Sequence, residues 1–162
     1  MKEAYAQALA LRQAATEVGA TLLINDRCDL ALAVKADGVH LGQEDLPLTD
    51  ARQLLGPEKI IGLSTHNPEQ VREAVALQPD YIGFGPIFNT ATKADHDPVV
   101  GVEGFRAARA ITSLPIFAIG GIAPQHVAEL MAAGANGVAV ISAILKAPDL
   151  ERAIKPFQQP WS

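Results

Sequence analysis

Short apolar runs recur along the whole chain, and longer amphipathic segments separate them. Each run holds three to five residues, mostly Val, Ile or Leu, which is typical of strands buried on both faces of a parallel sheet. Turn-forming residues bound most of the runs. The predicted strands are Thr21–Ile24, Val39–Leu41, Ile60–Leu63, Tyr81–Phe84, Pro115–Ile119 and Val138–Ile141.

The segments between the strands carry apolar residues at helical spacing. Gly19 and Gly134 are expected to end two of the helices, and Asn67 followed by Pro68 is a typical helix start. The predicted helices are Lys2–Val18, Asp29–Val34, a helix capped by Thr49 or Asp50 and running to Leu55, Asn67–Leu77, Val102–Ile111, Pro124–Ala133 and short helices within Ala143–Phe157.

Three of the links between a helix and the next strand resemble one another. Each is a helix end followed by a polar turn that leads into a strand, and together they indicate a repeated βα module. No linker interrupts the series, so residues 1–162 are expected to form one domain. The links are Lys35–Gly38, Gln78–Tyr81 and Gly134–Gly137.

Two α/β architectures accept about six such modules. An open doubly wound sheet is complete at this length, whereas a (β/α)₈ TIM barrel usually needs ~200 to 250 residues. In barrels, phosphate sites commonly use the loops after strands seven and eight. Here the turns at Gly120-Gly121 and Ile141-Ser142 follow the last two strands. We therefore expect an incomplete barrel that lacks the first strand, the first helix and the second strand.

Composition narrows the kind of protein. The chain has 162 residues, of which 49% are hydrophobic and 19% charged, so it can bury a core. Its net charge of -5 and its lack of basic runs argue against nucleic acid or an anionic membrane as partner. The single Cys28 fits a reducing compartment, and with no leader-like or membrane-spanning stretch a cytoplasmic protein is expected.

Carboxylates follow the first two predicted strands. Asp26 and Asp45 lie just beyond consecutive strands, so both can reach one hard cation. Mg²⁺ takes one or two carboxylates and fills its other positions with water and phosphate oxygens. The alternatives are that Asp26 caps the next helix and that Asp45 only solvates a loop; Asn25 has a similar reading as a turn residue. Glu44 is expected to be a solvated neighbour.

Hydroxyl groups and a lysine follow the next two strands. Ser64 can donate to a phosphate or a heterocycle, since Asn67 suits the alternative role of helix cap better. His66 is either a general base or a surface turn residue, and the other histidines give no sharper signal. The loop with Thr90, Thr92 and Lys93 can hold oxyanions, and its lysine can stabilise a departing diphosphate.

Two strand-to-helix turns with free amides complete the candidate site. Gly120-Gly121 allows a backbone to approach an anion closely, and Ile141-Ser142 repeats the arrangement one module later. Phosphate donors and metal-type carboxylates at the same ends of parallel strands indicate an enzyme that acts on phosphorylated substrates with a divalent cation.

Six motifs in series resemble the thiamine phosphate synthase family, in order and in spacing. They extend from the first strand to the C-terminal region. The motifs are Ile24-Asn25-Asp26-Arg27, Ala36-Asp37-Gly38-Val39-His40-Leu41-Gly42-Gln43-Glu44-Asp45, Gly62-Leu63-Ser64-Thr65-His66, Gly85-Pro86-Ile87-Phe88 with Thr90-Ala91-Thr92-Lys93, Ala118-Ile119-Gly120-Gly121-Ile122 and Ile141-Ser142-Ala143-Ile144.

The resemblance implies a (β/α)₈ barrel that joins hydroxymethylpyrimidine diphosphate to hydroxyethylthiazole phosphate through a pyrimidine-methyl cation, with Mg²⁺. By matching position, Asp26 and Asp45 would bind the metal. The pyrimidine diphosphate would contact Asn25, Ser64 and Lys93, of which Ser64 and Lys93 would act in catalysis. The thiazole phosphate would contact Thr90, Ala91, Thr92, Gly121, Ile141 and Ser142.

The chain also departs from the family pattern. Members carry an N-terminal strand, helix and strand ending in a Gln-Leu-Arg-x-Lys motif, which is absent here, so activity of the chain alone is open. Asn89 and Ala91 stand where the family has Pro, which should loosen the loop. A thiazole tautomerase-like isomerase and a non-catalytic thiazole phosphate-binding fragment are the alternatives. A homo-oligomer is possible.

Overall fold

A computed structural model describes residues 1–90 and 98–158, in which six strands alternate with helices. The alternation predicted from the apolar runs is confirmed. The strands are β1 Leu23–Asn25, β2 Gly38–Leu41, β3 Ile60–Thr65, β4 Tyr81–Phe84, β5 Ile116–Ile119 and β6 Gly137–Ala139. The helices are α1 Lys2–Val18, α2 Cys28–Ala33, α3 Leu48–Leu55, α4 Pro68–Leu77, α5 Gly101–Ile111, α6 Val127–Ala132, α7 Ser142–Leu145 and α8 Leu150–Gln158, with a 3₁₀ turn at Pro124–His126.

Several helix boundaries follow the predicted capping residues, and one does not. Gly19 ends α1 in the left-handed conformation, and the Asn67 side chain accepts the Gln70 amide at the start of α4. Capping of α3 by Thr49 or Asp50 is wrong, because α3 begins at Leu48 with Pro47 at its N-cap. Leu48 is buried and is the first residue of the helix, which therefore starts one residue before Thr49.

The last strand ends earlier than predicted. β6 covers Gly137–Ala139 rather than Val138–Ile141, because Ile141 already serves as the N-cap of α7. Its carbonyl accepts the amide of Leu145 at 2.8 Å. An apolar run in the sequence can therefore extend beyond the end of its strand where the next helix starts immediately.

The described residues divide into two compact units. The first comprises residues 1–64 and 77–80, and the second comprises residues 65–76 and 81 onwards. In the first unit, β1, β2 and β3 are parallel neighbours, with Ile24 opposite Val39 and Val39 opposite Ile61. These three side chains are buried together with Leu41 and Leu63. Each fully buried aliphatic side chain contributes about 1.5–3 kcal/mol to folding.

In the second unit, β4, β5 and β6 are likewise parallel neighbours. Phe84 of β4 packs edge-on against Phe105 of α5, with ring centroids 6.1 Å apart, and both rings are buried. On the other face, the Phe117 ring lies against Tyr81 with centroids 5.3 Å apart. Burial raises the pKa of Tyr81 to about 12. Both faces of this sheet are therefore packed, as the continuous apolar runs predicted.

The three similar links form one repeated turn. In each, a residue with positive φ is followed two residues later by an Asp or Asn, which exchanges two hydrogen bonds with a residue at the start of a preceding strand. The positive φ values belong to Lys35, Gln78 and Gly134. The side-chain acceptors are Asp37 for the Leu22 amide (2.7 Å), Asp80 for Ile61 (2.7 Å) and Asn136 for Ile116 (2.9 Å).

An arginine from a helix joins each turn. Arg12 of α1 lies 2.7 Å from Asp37, Arg52 of α3 lies 2.7 Å from Asp80, and Arg109 of α5 lies 3.4 Å from Asn136. Helix, strand start and turn are thus tied to one another at a single polar side chain. We call this contact the strand-start clamp. It fixes the register from which each strand runs towards the candidate site.

Replacing Asp37 by alanine should lower the free energy of unfolding by roughly 1–2 kcal/mol at neutral pH, because it removes an acceptor shared by an amide and a guanidinium. Asp37→Asn should cost less, since Asn136 shows that an amide oxygen serves the same turn. Urea unfolding of the wild type and both variants measures this. Equal losses in the two variants would contradict the clamp.

Acid should remove the advantage of the carboxylate over the amide. The Leu22 amide, and then Arg12, hold the pKa of Asp37 below its usual value. A carboxyl whose pKa is lower in the folded chain stabilises the fold above its unfolded pKa, about 3.9, and loses this contribution as the pH falls through the folded value. The stability gap between wild type and Asp37→Asn should persist from pH 7 to about 5 and narrow below about pH 4.

Candidate functional site

Three polar side chains share one face of the first unit near the carboxyl ends of its strands. Asn25 lies opposite His40 in the β1–β2 pair, and His40 lies opposite Gly62, two residues before Ser64, in the β2–β3 pair. Register partners in parallel strands project to the same side, and so do residues two apart. Asn25, His40 and Ser64 therefore face the side away from the buried Val39 and Ile61.

Ser64 is held by two residues that were not predicted as site residues, one at its hydroxyl and one at its backbone carbonyl. His40 Nε2 lies 2.8 Å from Ser64 Oγ, and Gln43 Nε2 donates to the Ser64 carbonyl at 2.6 Å. When Nε2 carries the ring proton, His40 donates to the hydroxyl, which keeps its own proton for a ligand. No signal in the sequence marked His40, because only strand pairing shows that it shares a face with Asn25 and Ser64.

Asp26 lies in the turn directly after β1, with a positive φ of 63°. Its amide donates to the His40 carbonyl at 2.8 Å, and its Oδ1 accepts from Asn25 Nδ2 at 2.7 Å. Helix α2 begins at Cys28 with Arg27 as the N-cap residue, so the alternative of Asp26 as helix cap is wrong. The Arg27 guanidinium forms two hydrogen bonds to Asp29, which lower the pKa of Asp29 to about 2. The positive charge of Arg27, which follows Asp26 in the chain, is therefore paired with Asp29.

Asp45 closes the turn after β2. Its Oδ2 accepts the Gly42 amide at 2.6 Å, and the residue is half-buried, whereas Glu44 is exposed. Burial, then the charge of Asp29 and, more weakly, that of Asp45, raises the pKa of the Cys28 thiol. Asp26 follows β1 and Asp45 follows β2, and these two strands are parallel neighbours. The structure brings the two predicted carboxylates towards the same end of β1 and β2.

The carboxylates suit a hydrated hard cation. Among residues 1–90 and 98–158, no three His, Cys, Asp or Glu side chains form a group that could hold a metal by themselves. Mg²⁺ does not require such a group, because it keeps several waters and is bound by one or two carboxylates plus substrate phosphates. The donor set of Asp26 and Asp45 fits that description.

In the second unit, the loop after β4 is joined to the end of β5. The amides of Ile87 and Phe88 donate to the carbonyls of Ile119 and Gly120 at 2.9 and 3.1 Å. Gly121 has a φ of 65°, and a Cβ built there would lie 2.5 Å from the Asn89 carbonyl oxygen. Only glycine combines this φ with this contact. The half-buried Thr90 follows directly on the contacted backbone.

The remaining predicted site residues of this region fall into two groups. Ala91, Thr92 and Lys93 lie outside the described residues. Ile141 is exposed, and Ser142 is the first residue of α7. Because Ile119 pairs with Ala139, the turns at Gly120-Gly121 and Ile141-Ser142 leave neighbouring strands at the same edge.

Two other features of this unit concern the site. His66 is half-buried and its Nδ1 lies 2.6 Å from the Gly85 carbonyl, so it contacts the start of the loop after β4. A cavity of about 360 Å³ lies beside β6, and its lining contains none of the predicted site residues. The cavity is lined by Phe117, Asn136, Gly137, Val138, Val140 and Phe157.

No helix in the described part of the chain combines the length and apolarity needed to cross a membrane.

A family model and similar relatives point to the same family. The model of the family described as "Thiamine monophosphate synthase" matches residues 1–144. The thiamine-phosphate synthase of Moorella thermoacetica is 49% identical over 150 residues, which cover 93% of this chain and 71% of that protein. That of Syntrophomonas wolfei is 48% identical over 160 residues, covering 99% and 77%.

A solved structure supports the same assignment. The thiamine phosphate pyrophosphorylase from Pyrococcus furiosus superposes with a TM-score of 0.88 and 38% identity, covering 98% of this chain and 75% of that one. Sequence similarity and fold similarity thus lead to the same set of relatives. This chain belongs to the thiamine monophosphate synthase family.

Proposed function

We propose that this chain is a transferase that joins hydroxymethylpyrimidine diphosphate to hydroxyethylthiazole phosphate, giving thiamine phosphate and diphosphate. The observation that carries this proposal is the match over 98% of the chain to a thiamine phosphate pyrophosphorylase, at 38% identity. Relatives near 50% identity named thiamine-phosphate synthase support the same reaction. The substrates are therefore two small phosphorylated molecules.

The finer architecture is part of the proposal. The six βα units would correspond to strands three to eight of a (β/α)₈ barrel, and residues 1–162 would belong to one barrel domain. In support, the chain spans 71% and 77% of the length of the two relatives and 75% of the solved structure. Six of eight units make a similar share. In such barrels the active site lies at the carboxyl ends of the strands.

Asp26 and Asp45 would hold Mg²⁺ in this reaction. The bound ion supplies positive charge that neutralises a diphosphate. The two carboxylates fix where that charge sits, Asp26 through its turn after β1 and Asp45 through its bond to the Gly42 amide. Their own interactions with neighbouring donors orient the oxygens before a substrate arrives.

The first step separates the pyrimidine from its diphosphate. The bond between the methylene carbon and the diphosphate oxygen breaks, and the electron pair leaves with the diphosphate, so a pyrimidine-methyl cation remains. Asn25 and Ser64 would hold the pyrimidine diphosphate, and the Lys93 ammonium would stabilise the leaving anion. The contact of His40 with Ser64 would aim the hydroxyl.

The second step joins the two rings. The thiazole nitrogen donates its electron pair to the methylene carbon, and the new carbon–nitrogen bond carries the positive charge. Holding the thiazole phosphate in place makes this capture effectively unimolecular. Thr90, Ala91 and Thr92 would bind that phosphate from the loop after β4, with Gly121, Ile141 and Ser142 contributing from the turns after β5 and β6.

The proposed function is tested by incubating the chain with both substrates and Mg²⁺ and measuring thiamine phosphate by chromatography. We expect product that is lost on chelation and restored by added Mg²⁺. Asp26→Asn and Asp45→Asn should each lower the rate at least tenfold, because each removes a metal-binding charge. Raising Mg²⁺ should recover part of the rate.

Glu44→Gln is the matched control, since it removes an exposed carboxylate beside Asp45 and should leave the rate unchanged. Absence of product from the wild type with both substrates would refute the proposal. Calorimetry then separates the alternatives, because binding of thiazole phosphate without turnover identifies a binding protein, and isomerisation of a thiazole substrate identifies a tautomerase.

Gly121→Ala should weaken thiazole phosphate binding about tenfold or more, because its methyl group would displace the backbone at Phe88 and Asn89. Gly19→Ala is the matched control, since Gly19 has nearly the same φ, 67°, but no atom within 4 Å of an added Cβ. Both variants bear the strain of positive φ, and only the first should change the affinity measured by calorimetry. Similar affinities in the two variants would contradict the role of the close approach.

A further inference from the structure

The loop after β4 is contacted by one aromatic ring from the turn after β5. The His126 ring lies over Phe88, with centroids 3.9 Å apart and planes inclined by 31°. Phe88 is the residue whose carbonyl group would meet a Cβ on Gly121. His126 and Gly121 therefore contact the same short stretch of the loop, two residues before Thr90.

The orientation of His126 is fixed by a hydrogen bond within its own turn. The Ala123 amide donates to His126 Nδ1 at 3.1 Å. An accepting Nδ1 places the proton of a neutral imidazole on Nε2. The ring is thus held at one end by the backbone of the turn that begins at Gly120-Gly121, and at its face by the loop after β4.

The helix that follows His126 has buried apolar side chains of its own, although His126 is its N-cap residue. Val127 and Leu130 of α6 are fully buried, whereas His126 is only half-buried. The apolar contacts of α6 therefore anchor the element without the imidazole. A ring with two specific contacts on a surface turn, outside the core, is placed to position the loop that it covers.

Resting on the function proposed above, we propose that His126 is a positioning residue for thiazole phosphate: its ring holds Phe88 and thereby sets the place of Thr90. The residue is not itself catalytic, because its two observed contacts are to the protein. It acts on the substrate whose phosphate the loop after β4 would bind. Of the residues proposed for the pyrimidine diphosphate, Asn25 and Ser64 lie in the first unit, and the proposed role of His126 reaches only as far as Thr90 and does not include Lys93.

The test compares His126→Phe with His126→Ala. Phenylalanine keeps a ring over Phe88 and loses the acceptor, whereas alanine loses both contacts. Gln125→Ala is the control, because Gln125 is the exposed neighbour in the same 3₁₀ turn. For each protein, calorimetry gives the Kd for thiazole phosphate, steady-state assays give KM for both substrates and kcat, and thermal unfolding gives Tm.

We expect the Kd and KM for thiazole phosphate to rise about three- to tenfold in His126→Ala, as loss of an aromatic contact implies, and less in His126→Phe. The KM for pyrimidine diphosphate and kcat should stay within about twofold, and Gln125→Ala should match the wild type. A merely structural role would lower Tm and change both KM values together, which would overturn the inference. Unchanged thiazole phosphate affinity in both His126 variants would also overturn it.

The two proposals fail in distinguishable ways. A wild-type chain that binds no thiazole phosphate would refute the proposed function, and this inference with it. A wild type that binds and turns over normally, with His126 variants that behave identically, would refute the inference alone.

Discussion

The fold depends on a repeated contact in which one polar side chain ties a strand start to a turn and a helix. Asp37 shows the arrangement in full, because its carboxylate accepts from the Leu22 amide and from Arg12. A parallel strand slipped by one residue would turn every side chain to the other face. The strand-start clamp is formed at the end of the strand opposite to the site. The positions of the functional groups at the carboxyl ends of the strands therefore depend on contacts made several residues earlier in the chain.

This constraint explains why short strands suffice. β1 and β6 hold three residues each, too few for their ladder hydrogen bonds alone to define a register firmly. The Asn136 side chain accepts the Ile116 amide at one end of this strand pair. The register of β5 and β6 is therefore set at that end, next to the first ladder hydrogen bonds. The opposite ends can then carry glycine-rich turns and exposed polar groups. Stability and chemistry are divided between the two ends of the strands.

The sequence predicted the elements well because parallel strands and their covering helices carry strong, separate periodicities. It also indicated that Asp26 and Asp45 follow neighbouring strands and that Gly121 allows close approach, since strand ends and glycines can be recognised from the local sequence. It did not find His40, because a histidine inside a short apolar strand carries no local signal. His40 is recognised as a site residue only because strand pairing places it on the same face as Asn25 and Ser64. The same limit hid His126, whose partner Phe88 is distant along the chain.

Asn136 occupies the position that carboxylates hold in the other two repeats of the turn. An amide has no proton to gain in the acidic range, so the corresponding contact in the second unit keeps its charge state at every pH at which proteins fold. The first unit relies on carboxylates for the same task. The contact at Asn136 should therefore persist in acid, whereas the contact at Asp37 weakens as the pH falls through the lowered pKa of its carboxyl.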